Sequence, residues 1–194
     1  MKNHRDLIDA EVALNADGGT FQTRGGKPFS VAVGASEKRE TILQLETRNR
    51  GGHASQPRKD NAIYRLMAAL ARVEGLRFPV ALNDVTRAQL EALAALESGQ
   101  TAADMRALSR DPSDAAAAER LSGDPLYNAL LRSTCVATML DAGVGPSALP
   151  ERARAVLNCR LLPGHAAEDM LRTLREAIAD DDVAITWQFN EPSE

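Results

Sequence analysis

The amino-acid sequence predicts an α+β fold of the ferredoxin-like type, in which a β-α-β-β-α-β chain forms a four-stranded antiparallel sheet with two helices on one face. Two kinds of periodicity and one change in composition predict it. Three stretches alternate apolar and polar residues, as half-buried strands do: 40–48, 153–162 and 183–189. Two stretches repeat apolar residues at three- and four-residue intervals, as helices do: 59–74 and 166–179. Between them, residues 84–131 are rich in alanine, leucine and charge and predict a helical insert.

The N-terminal part of the chain precedes this pattern. Residues 1–28 predict a connector, with one strand-like piece at 11–14 followed by glycine-rich punctuation. A strand is predicted at 30–36, and the strand at 40–48 then places Leu43 and Leu45 on one face.

The central part of the chain predicts helices. The helix at 59–74 repeats its apolar residues on one face. Glycine and proline then divide the insert into short helices, predicted at 85–97, 101–109, 113–121 and 125–131.

The C-terminal part returns to strands. A strand is predicted at 133–140, and residues 143–146 turn the chain. In 153–162 one face is apolar, and the helix at 166–179 and the strand at 183–189 complete the order. The face of the sheet opposite the helices is then exposed to solvent, covered by the insert, or used as an interaction surface.

Composition narrows the class of protein. A net charge of −4 and 4% aromatic residues favour neither nucleic-acid binding nor base stacking. No apolar run is long enough to span a membrane, and the polar N-terminus lacks the apolar centre of a signal peptide. Cys135 and Cys159 form no metal-binding or CxxC pattern, and both are predicted to be small buried apolar residues rather than a disulfide. The cellular compartment is left open.

His53 is the sharpest candidate for chemistry. It follows Gly51 and Gly52 on a loop, and glycines allow positive φ and a close approach to another surface. A solvated loop histidine is the competing interpretation. None of the three histidines has the spacing of a metal motif, and the chain lacks a nucleophile elbow or phosphate loop, so it does not form a complete enzyme alone.

Two further positions carry weaker signals. Arg160 lies mid-strand on the polar face beside Asn158, where a rigidly placed guanidinium suits bidentate binding of a carboxylate; a surface arginine is the alternative. Asp17, in NADGG, has the pattern of a turn aspartate.

Five stretches together resemble one family, in order and spacing. They are NADGG at 15–19, GGHASQP at 51–57, NAI at 61–63, ALPE at 148–151 and NCRLLPG at 158–164. The resemblance is to the zinc aminoacylase and carboxypeptidase family, the twentieth metallopeptidase family, which includes carboxypeptidase G and succinyl-diaminopimelate desuccinylase. It covers nearly the whole chain except the insert.

The resemblance implies a domain organisation and partners. In that family a smaller ferredoxin-like lid, or dimerisation, domain interrupts a catalytic domain that binds two zinc ions. By resemblance, residues 1–28 are a remnant of the catalytic domain, 29–190 are the lid with its insert, and 191–194 are a tail. The implied partners are a second copy of the lid, the catalytic domain of the parent chain and a small carboxylate-bearing substrate, with neither nucleic acid nor membrane.

The resemblance also implies roles for individual residues. Asp17 matches an acidic zinc ligand, which is usually glutamate in the aminoacylase branch. His53, carried by Gly51 and Gly52, matches a lid histidine that donates a hydrogen bond in the partner subunit's active site. Arg160, beside Asn158, matches an arginine that grips the substrate carboxylate. Ser147 occupies a position where the family commonly has a substrate-contacting asparagine.

The parent protein is therefore expected to hydrolyse the amide bond of dipeptides or N-acyl amino acids. The isolated chain is expected to lack that activity and to bind no zinc tightly. A free-standing ferredoxin-like module that dimerises and binds a small regulatory ligand is the alternative. The insert at 84–131 either modifies the dimer interface or covers the active-site cleft, and the sequence leaves both open.

Overall fold

The computed structural model describes residues 20–188, which fall into two compact units that meet between Ser36 and Glu37. The strands are β1 (Thr20–Arg24), β2 (Lys27–Ala32), β3 (Arg39–Arg48), β4 (Gly52–His53), β5 (Thr134–Ala142), β6 (Ala148–Leu149), β7 (Arg152–Leu161) and β8 (Ala184–Trp187). The helices are α1 (Ala62–Gly75), α2 (Asp84–Leu96), α3 (Gly99–Arg110), α4 (Ala115–Ser122), α5 (Pro125–Leu131) and α6 (Ala167–Ile178).

The first unit contains a β-hairpin in a region where the sequence predicted a connector. Strands β1 and β2 pair antiparallel around Gly25 and Gly26, whose φ angles are 59° and 75°. Two adjacent residues with positive φ are typical of a type I′ turn, whose twist matches the strands that it joins. The strand predicted at 30–36 therefore begins earlier, as β2, and the strand-like piece at 11–14 lies outside the described residues.

The second unit has the predicted ferredoxin-like sheet. Its four strands lie in the order β5-β7-β3-β8, and every neighbouring pair is antiparallel. Strands β3 and β7 form the centre, with ten consecutive residue pairs from Arg39–Leu161 to Arg48–Arg152 and no shift in register. The connectivity through α1 and α6 is the predicted β-α-β-β-α-β order, which confirms the fold class.

The main core lies between this sheet and the two helices. Alternate residues of β3 and β7 are fully buried against α1 and α6, as the strand periodicity predicted. Helix α1 begins at Ala62 because Asn61 caps it: the Asn61 side chain accepts hydrogen bonds from the backbone N–H groups of Ile63 and Tyr64, at 2.9 and 3.4 Å.

The insert forms a second apolar cluster of its own. Its buried side chains come from α2 to α5: Leu90, Ala94, Met105, Leu108, Ala117, Ala118, Leu121 and Leu131. Arg120 of α4 donates two hydrogen bonds, of 2.8 and 2.7 Å, to the buried Asp104 carboxylate of α3, and these bonds hold the pKa of Asp104 below its usual value. The insert rejoins the sheet where Ala81 N–H donates to the Leu131 carbonyl, just before β5.

Cys135 and Cys159 form a disulfide, so the prediction of two separate buried thiols was wrong. The two residues stand directly opposite each other in the β5–β7 pairing, with Cα atoms 4.0 Å apart. Antiparallel partners of the closer, non-hydrogen-bonded kind have Cβ atoms near enough for an S–S bond. The sequence carries no signal for this pair, because the alignment of two strands separated by a long turn is a tertiary property.

Strand β5 is an edge of the sheet and exposes apolar side chains. Val136, Met139 and Leu140 are 60–66% exposed, and a bulge between Ala137 and Met139 interrupts the pairing with β7. Helix α1 places the exposed Met67 in the groove beside Val136. Within residues 20–188, no helix combines the length and the apolar character needed to cross a bilayer.

Candidate functional site

The residues predicted to act on substrate lie at two opposite ends of the central β3–β7 pair. His53 and Ser147 lie beyond the end marked by the Arg48–Arg152 pair, and Arg160 stands opposite Glu40 near the other end. Asp17 falls outside the described residues. The structure therefore brings two of the predicted residues together and keeps the third apart from them.

The short β4–β6 pairing holds His53 next to Ser147. His53 stands opposite Ala148, and the neighbouring Ala54 N–H donates a 2.8 Å hydrogen bond to the Ser147 carbonyl. Both residues are exposed to solvent. Position 147 and the imidazole thus form one exposed site.

The glycines before His53 are required by the backbone. Gly51 has φ of 67° and Gly52 has φ of 143°, in the region that side-chain-bearing residues rarely adopt. A Cβ at Gly51 would also come within 2.6 Å of the Glu151 side chain. The pair of glycines lets the chain turn sharply out of β3 and present His53 at the tip of the loop.

Ser55 determines which nitrogen of His53 carries the proton. The Ser55 backbone N–H, which can only donate, lies 3.2 Å from His53 Nδ1, and the Ser55 Oγ lies 2.8 Å from the same atom. Nδ1 is therefore an acceptor, and the neutral ring carries its proton on Nε2. The outward side of the imidazole presents an N–H donor.

Arg160 already binds a carboxylate of its own sheet. Its Nη2 donates a 2.8 Å hydrogen bond to Glu40 Oε1, and its Nε donates to Asn158 Oδ1 at 3.2 Å. Asn158 Nδ2 donates to the same Glu40 oxygen at 2.8 Å. These three side chains form one hydrogen-bonded group on the polar face of the sheet, where the guanidinium can bind an incoming carboxylate.

Lys38 adds a second cation to this end. It immediately precedes β3, and its Nζ donates a 2.5 Å hydrogen bond to the carbonyl of Arg132. Burial and the nearby Arg160 charge lower the pKa of Lys38 to about 8. Arg132 ends the insert, so this hydrogen bond ties the insert's junction with the sheet to the Arg160 end.

The spacing of the two ends follows from the strand geometry. Glu40 and Arg48 are eight residues apart on β3, and about 3.3 Å per residue separates them by about 26 Å. An extended dipeptide spans only about 7 Å. His53 and Arg160 of one chain therefore cannot contact the same small substrate.

Among residues 20–188, no group of three or more histidine, cysteine, aspartate or glutamate side chains is arranged to hold a metal ion. The described residues thus do not fit the zinc that the resemblance implies for the parent protein. Asp17, the one proposed ligand, lies in the N-terminal part that the structure does not describe.

Comparison with known proteins gives the class. The family model M20_dimer, described as the peptidase dimerisation domain, matches residues 43–186. This range includes most of the sheet, both helices of the ferredoxin-like fold and the insert, so the fold and the match together define a dimerisation domain of a metallopeptidase family. The chain belongs to the M20 peptidase dimerisation domain family.

Curated relatives carry hydrolase names. The chain is 28% identical over 185 residues to mouse N-fatty-acyl-amino acid synthase/hydrolase PM20D1, covering 90% of this chain and 35% of that protein. It is 28% identical over 162 residues to probable carboxypeptidase S-like 2 of Dictyostelium discoideum, covering 82% of this chain and 30% of that protein. The chain spans about a third of the length of these relatives.

Two solved structures are similar at low identity. Human carnosine dipeptidase 1 matches with a TM-score of 0.48 and 14% identity, covering 79% of this chain and 37% of that one. An M20 family metallo-carboxypeptidase from Sulfolobus solfataricus matches with a TM-score of 0.45 and 15% identity, covering 77% and 43%.

Sequence reasoning missed Glu40, Lys38 and Ser55. Glu40 and Lys38 are ordinary surface residues in the sequence, and only the strand register places one opposite Arg160 and the other beside it. Of the three, only Ser55 could have been predicted from the local sequence, because a serine two residues after a histidine can form a hydrogen bond with its ring.

Proposed function

We propose that this chain is the lid and dimerisation domain of a metal-dependent hydrolase that cleaves the amide bond of N-acyl amino acids or dipeptides. The observation that carries the proposal is the exposed His53 ring on a loop held by β4 and β6, where the Ser55 N–H donates to Nδ1 and leaves Nε2 as the donor. Membership in the M20 dimerisation family supports the reaction class. In this proposal residues 1–28 belong to the catalytic domain, 29–190 to the lid and 191–194 to a tail.

His53 acts as a hydrogen-bond donor to developing charge. When a nucleophile attacks an amide carbonyl, negative charge grows on the carbonyl oxygen. The Nε2–H of His53 donates to that oxygen, and such a donor typically stabilises the transition state by about 3–4 kcal/mol. The described residues 20–188 do not fit a zinc ion. A metal held by the catalytic domain would supply the activated water.

Arg160 acts on the other end of the substrate. Its guanidinium presents parallel N–H donors on a rigid strand and binds the substrate carboxylate, with Asn158 orienting it through the 3.2 Å hydrogen bond to Nε. A carboxylate at a fixed distance from the scissile amide is the feature that dipeptides and N-acyl amino acids share.

The two residues serve two different active sites of a homodimer. Arg160 stands opposite Glu40 and His53 lies beyond Arg48, and these two β3 residues are about 26 Å apart, so a single small substrate cannot contact both. In a two-fold dimer each active site receives Arg160 from its own chain and His53, with position 147 beside it, from the partner. Completing a site thus requires two chains.

The edge strand β5 supplies the dimer surface in this proposal. Its backbone N–H and C=O groups on the outer side have no strand partner within residues 20–188, and a long apolar edge is a template for pairing. Between β5 and α1 runs a mostly apolar groove of about 580 Å³, whose lining includes Met67, Leu70, Val136 and Ala137. A second copy would cover this groove and extend the sheet.

Replacing Val136 with lysine tests the dimer surface. Val136 is 60% exposed, so the variant is expected to fold normally but to become monomeric, because a charge would be buried without a partner. Sedimentation velocity measures the change. The matched control is Leu126→Lys on α5 of the insert, a leucine of 53% exposure that does not line the groove, and the dimer should persist. A Val136→Lys variant that stays dimeric contradicts this surface.

Mixing two inactive variants tests the assignment to two active sites. In the full-length enzyme, His53→Ala and Arg160→Ala each damage one residue. In a mixed dimer, one active site then has both residues intact and the other has neither, so random reassociation should restore about a quarter of wild-type activity. Activity against an N-acyl amino acid after mixing measures it.

The alternative arrangement gives a different result. If His53 and Arg160 of one chain served the same site, every mixed site would lack one residue and mixing would restore nothing. Full activity of both single variants before mixing would contradict the hydrolase roles altogether and favour a dimerising module that only binds ligand.

A further inference from the structure

We infer that Glu40 is a resident counter-ion of Arg160 that the substrate carboxylate displaces, and that Lys38 receives Glu40 when it leaves. The inference rests on the proposed function, in which Arg160 binds the substrate carboxylate. It makes Glu40 and Lys38 specificity-determining residues of the site.

Glu40 occupies the position that the substrate carboxylate would take. It stands directly opposite Arg160 in the β3–β7 pairing, and one of its oxygens accepts hydrogen bonds from both Arg160 Nη2 and Asn158 Nδ2, each of 2.8 Å. The side chains of Arg160 and Glu40 are 46% and 45% exposed. An ion pair this exposed to water is weak, so another carboxylate can exchange with it.

Lys38 is a cation that lacks an acidic partner. Within residues 20–188 it forms no ion pair, and its one hydrogen bond goes to the neutral carbonyl of Arg132. An ammonium has three donors, so two are left for a carboxylate. Burial of the ammonium group and repulsion by the Arg160 charge lower the pKa of Lys38 to about 8. Lys38 can therefore donate hydrogen bonds to a carboxylate.

Glu40 and Lys38 both lie near Arg160, since Glu40 accepts a hydrogen bond from it and the Lys38 charge is repelled by it. Lys38 immediately precedes β3 and Glu40 is its second residue, and residues two positions apart in extended chain share a face. Turning the Glu40 side chain about its own bonds moves its carboxylate from Arg160 toward Lys38. The exchange breaks one ion pair and forms two.

The charge balance predicts selectivity. Before binding, Lys38 and Arg160 supply two positive charges and Glu40 one negative charge. A substrate with one carboxylate neutralises the group, whereas a neutral substrate leaves an unpaired cation and a second carboxylate adds an excess negative charge. We therefore expect this end of the site to prefer substrates with a single carboxylate there.

The test uses the 194-residue chain and a small probe. N-acetylglycine carries the carboxylate, and N-acetylglycinamide is the neutral comparison. Binding is followed by NMR of the Arg160 Nε–H and the Lys38 Cε groups. Glu40→Gln should tighten N-acetylglycine about two- to fivefold and leave the amide unchanged, the range expected for losing an exposed ion pair. The matched control is Glu46→Gln, which removes a carboxylate paired with Arg154 on the same face and should change neither.

Two further measurements test the transfer to Lys38. Saturation with N-acetylglycine should raise the pKa of Lys38 above 8, because a carboxylate then lies beside it. Lys38→Met should weaken N-acetylglycine in the wild-type background but not in Glu40→Gln, since no carboxylate then needs a new partner. An unchanged Lys38 pKa at saturation overturns the transfer.

Failure of this inference can be told from failure of the proposed clamp. Arg160→Gln should abolish the preference for N-acetylglycine over its amide; if the preference survives, the clamp itself is wrong and the inference falls with it. If Arg160→Gln abolishes the preference but Glu40→Gln does not tighten the binding of N-acetylglycine, the clamp stands. The inference that Glu40 is a resident counter-ion is then overturned.

Discussion

Replacing His53 with alanine in the full-length enzyme is expected to lower kcat about 100- to 1000-fold, with little change in KM. The reason is the timing of the interaction. In the proposed mechanism the Nε2–H donor meets charge that develops on the carbonyl oxygen only as the bond is attacked, so its loss would raise the transition state more than the bound ground state. Steady-state kinetics with an N-acyl amino acid measure the separate changes in kcat and KM.

Two control variants separate the donor from general effects. His165→Ala removes another exposed histidine, on the turn before α6, and should leave kcat unchanged. Ser55→Ala keeps the imidazole and the backbone bond to Nδ1 but removes the hydroxyl, so a smaller loss is expected. If His53→Ala changes KM and not kcat, the residue binds substrate and the assignment as a transition-state donor is wrong.

Removing the Cys135–Cys159 disulfide is expected to lower the free energy of unfolding by about 3 kcal/mol. The bond closes a loop between residues 24 positions apart, and that constraint restricts the unfolded chain. It also joins the edge strand β5 to the central strand β7. Urea unfolding of a Cys135→Ala/Cys159→Ala variant against the oxidised wild type measures the loss.

A thiol reductant provides the matched comparison for the disulfide. Reduction should destabilise the wild type by a similar amount and leave the double alanine variant unchanged. If the reductant does not change the unfolding midpoint of the wild-type protein, Cys135 and Cys159 are not bonded to each other.

Much of the fold could be predicted because its periodicities are local. The sequence predicted one apolar face for residues 153–162 and helical spacing of apolar residues for 166–179. The structure buries Ala153, Leu157 and Leu161 of β7 and Met170 and Leu174 of α6 in one core. Boundaries were less predictable, since they depend on capping. Helix α1 begins at Ala62 and not at residue 59, because Asn61 is its cap.

What could not be predicted depends on which residues face each other across strands. The Cys135–Cys159 bond and the Arg160–Glu40 pair both require the register of β7 against its neighbours. The bulge between Ala137 and Met139 changes that register partway along β5. Patterns along one strand carry no such information, so Arg160 could be proposed from its position while its partner could not.

The unbroken pairing of β3 with β7 has a consequence for turnover. Ten consecutive residue pairs make the centre of the sheet a rigid element, with Arg160 near one end and the His53 loop at the other. In the proposed dimer, a tilt of the lid that presses Arg160 onto one substrate also displaces His53 in the neighbouring site. The two sites would then open and close in concert, and rate against substrate concentration would depart from a simple hyperbola.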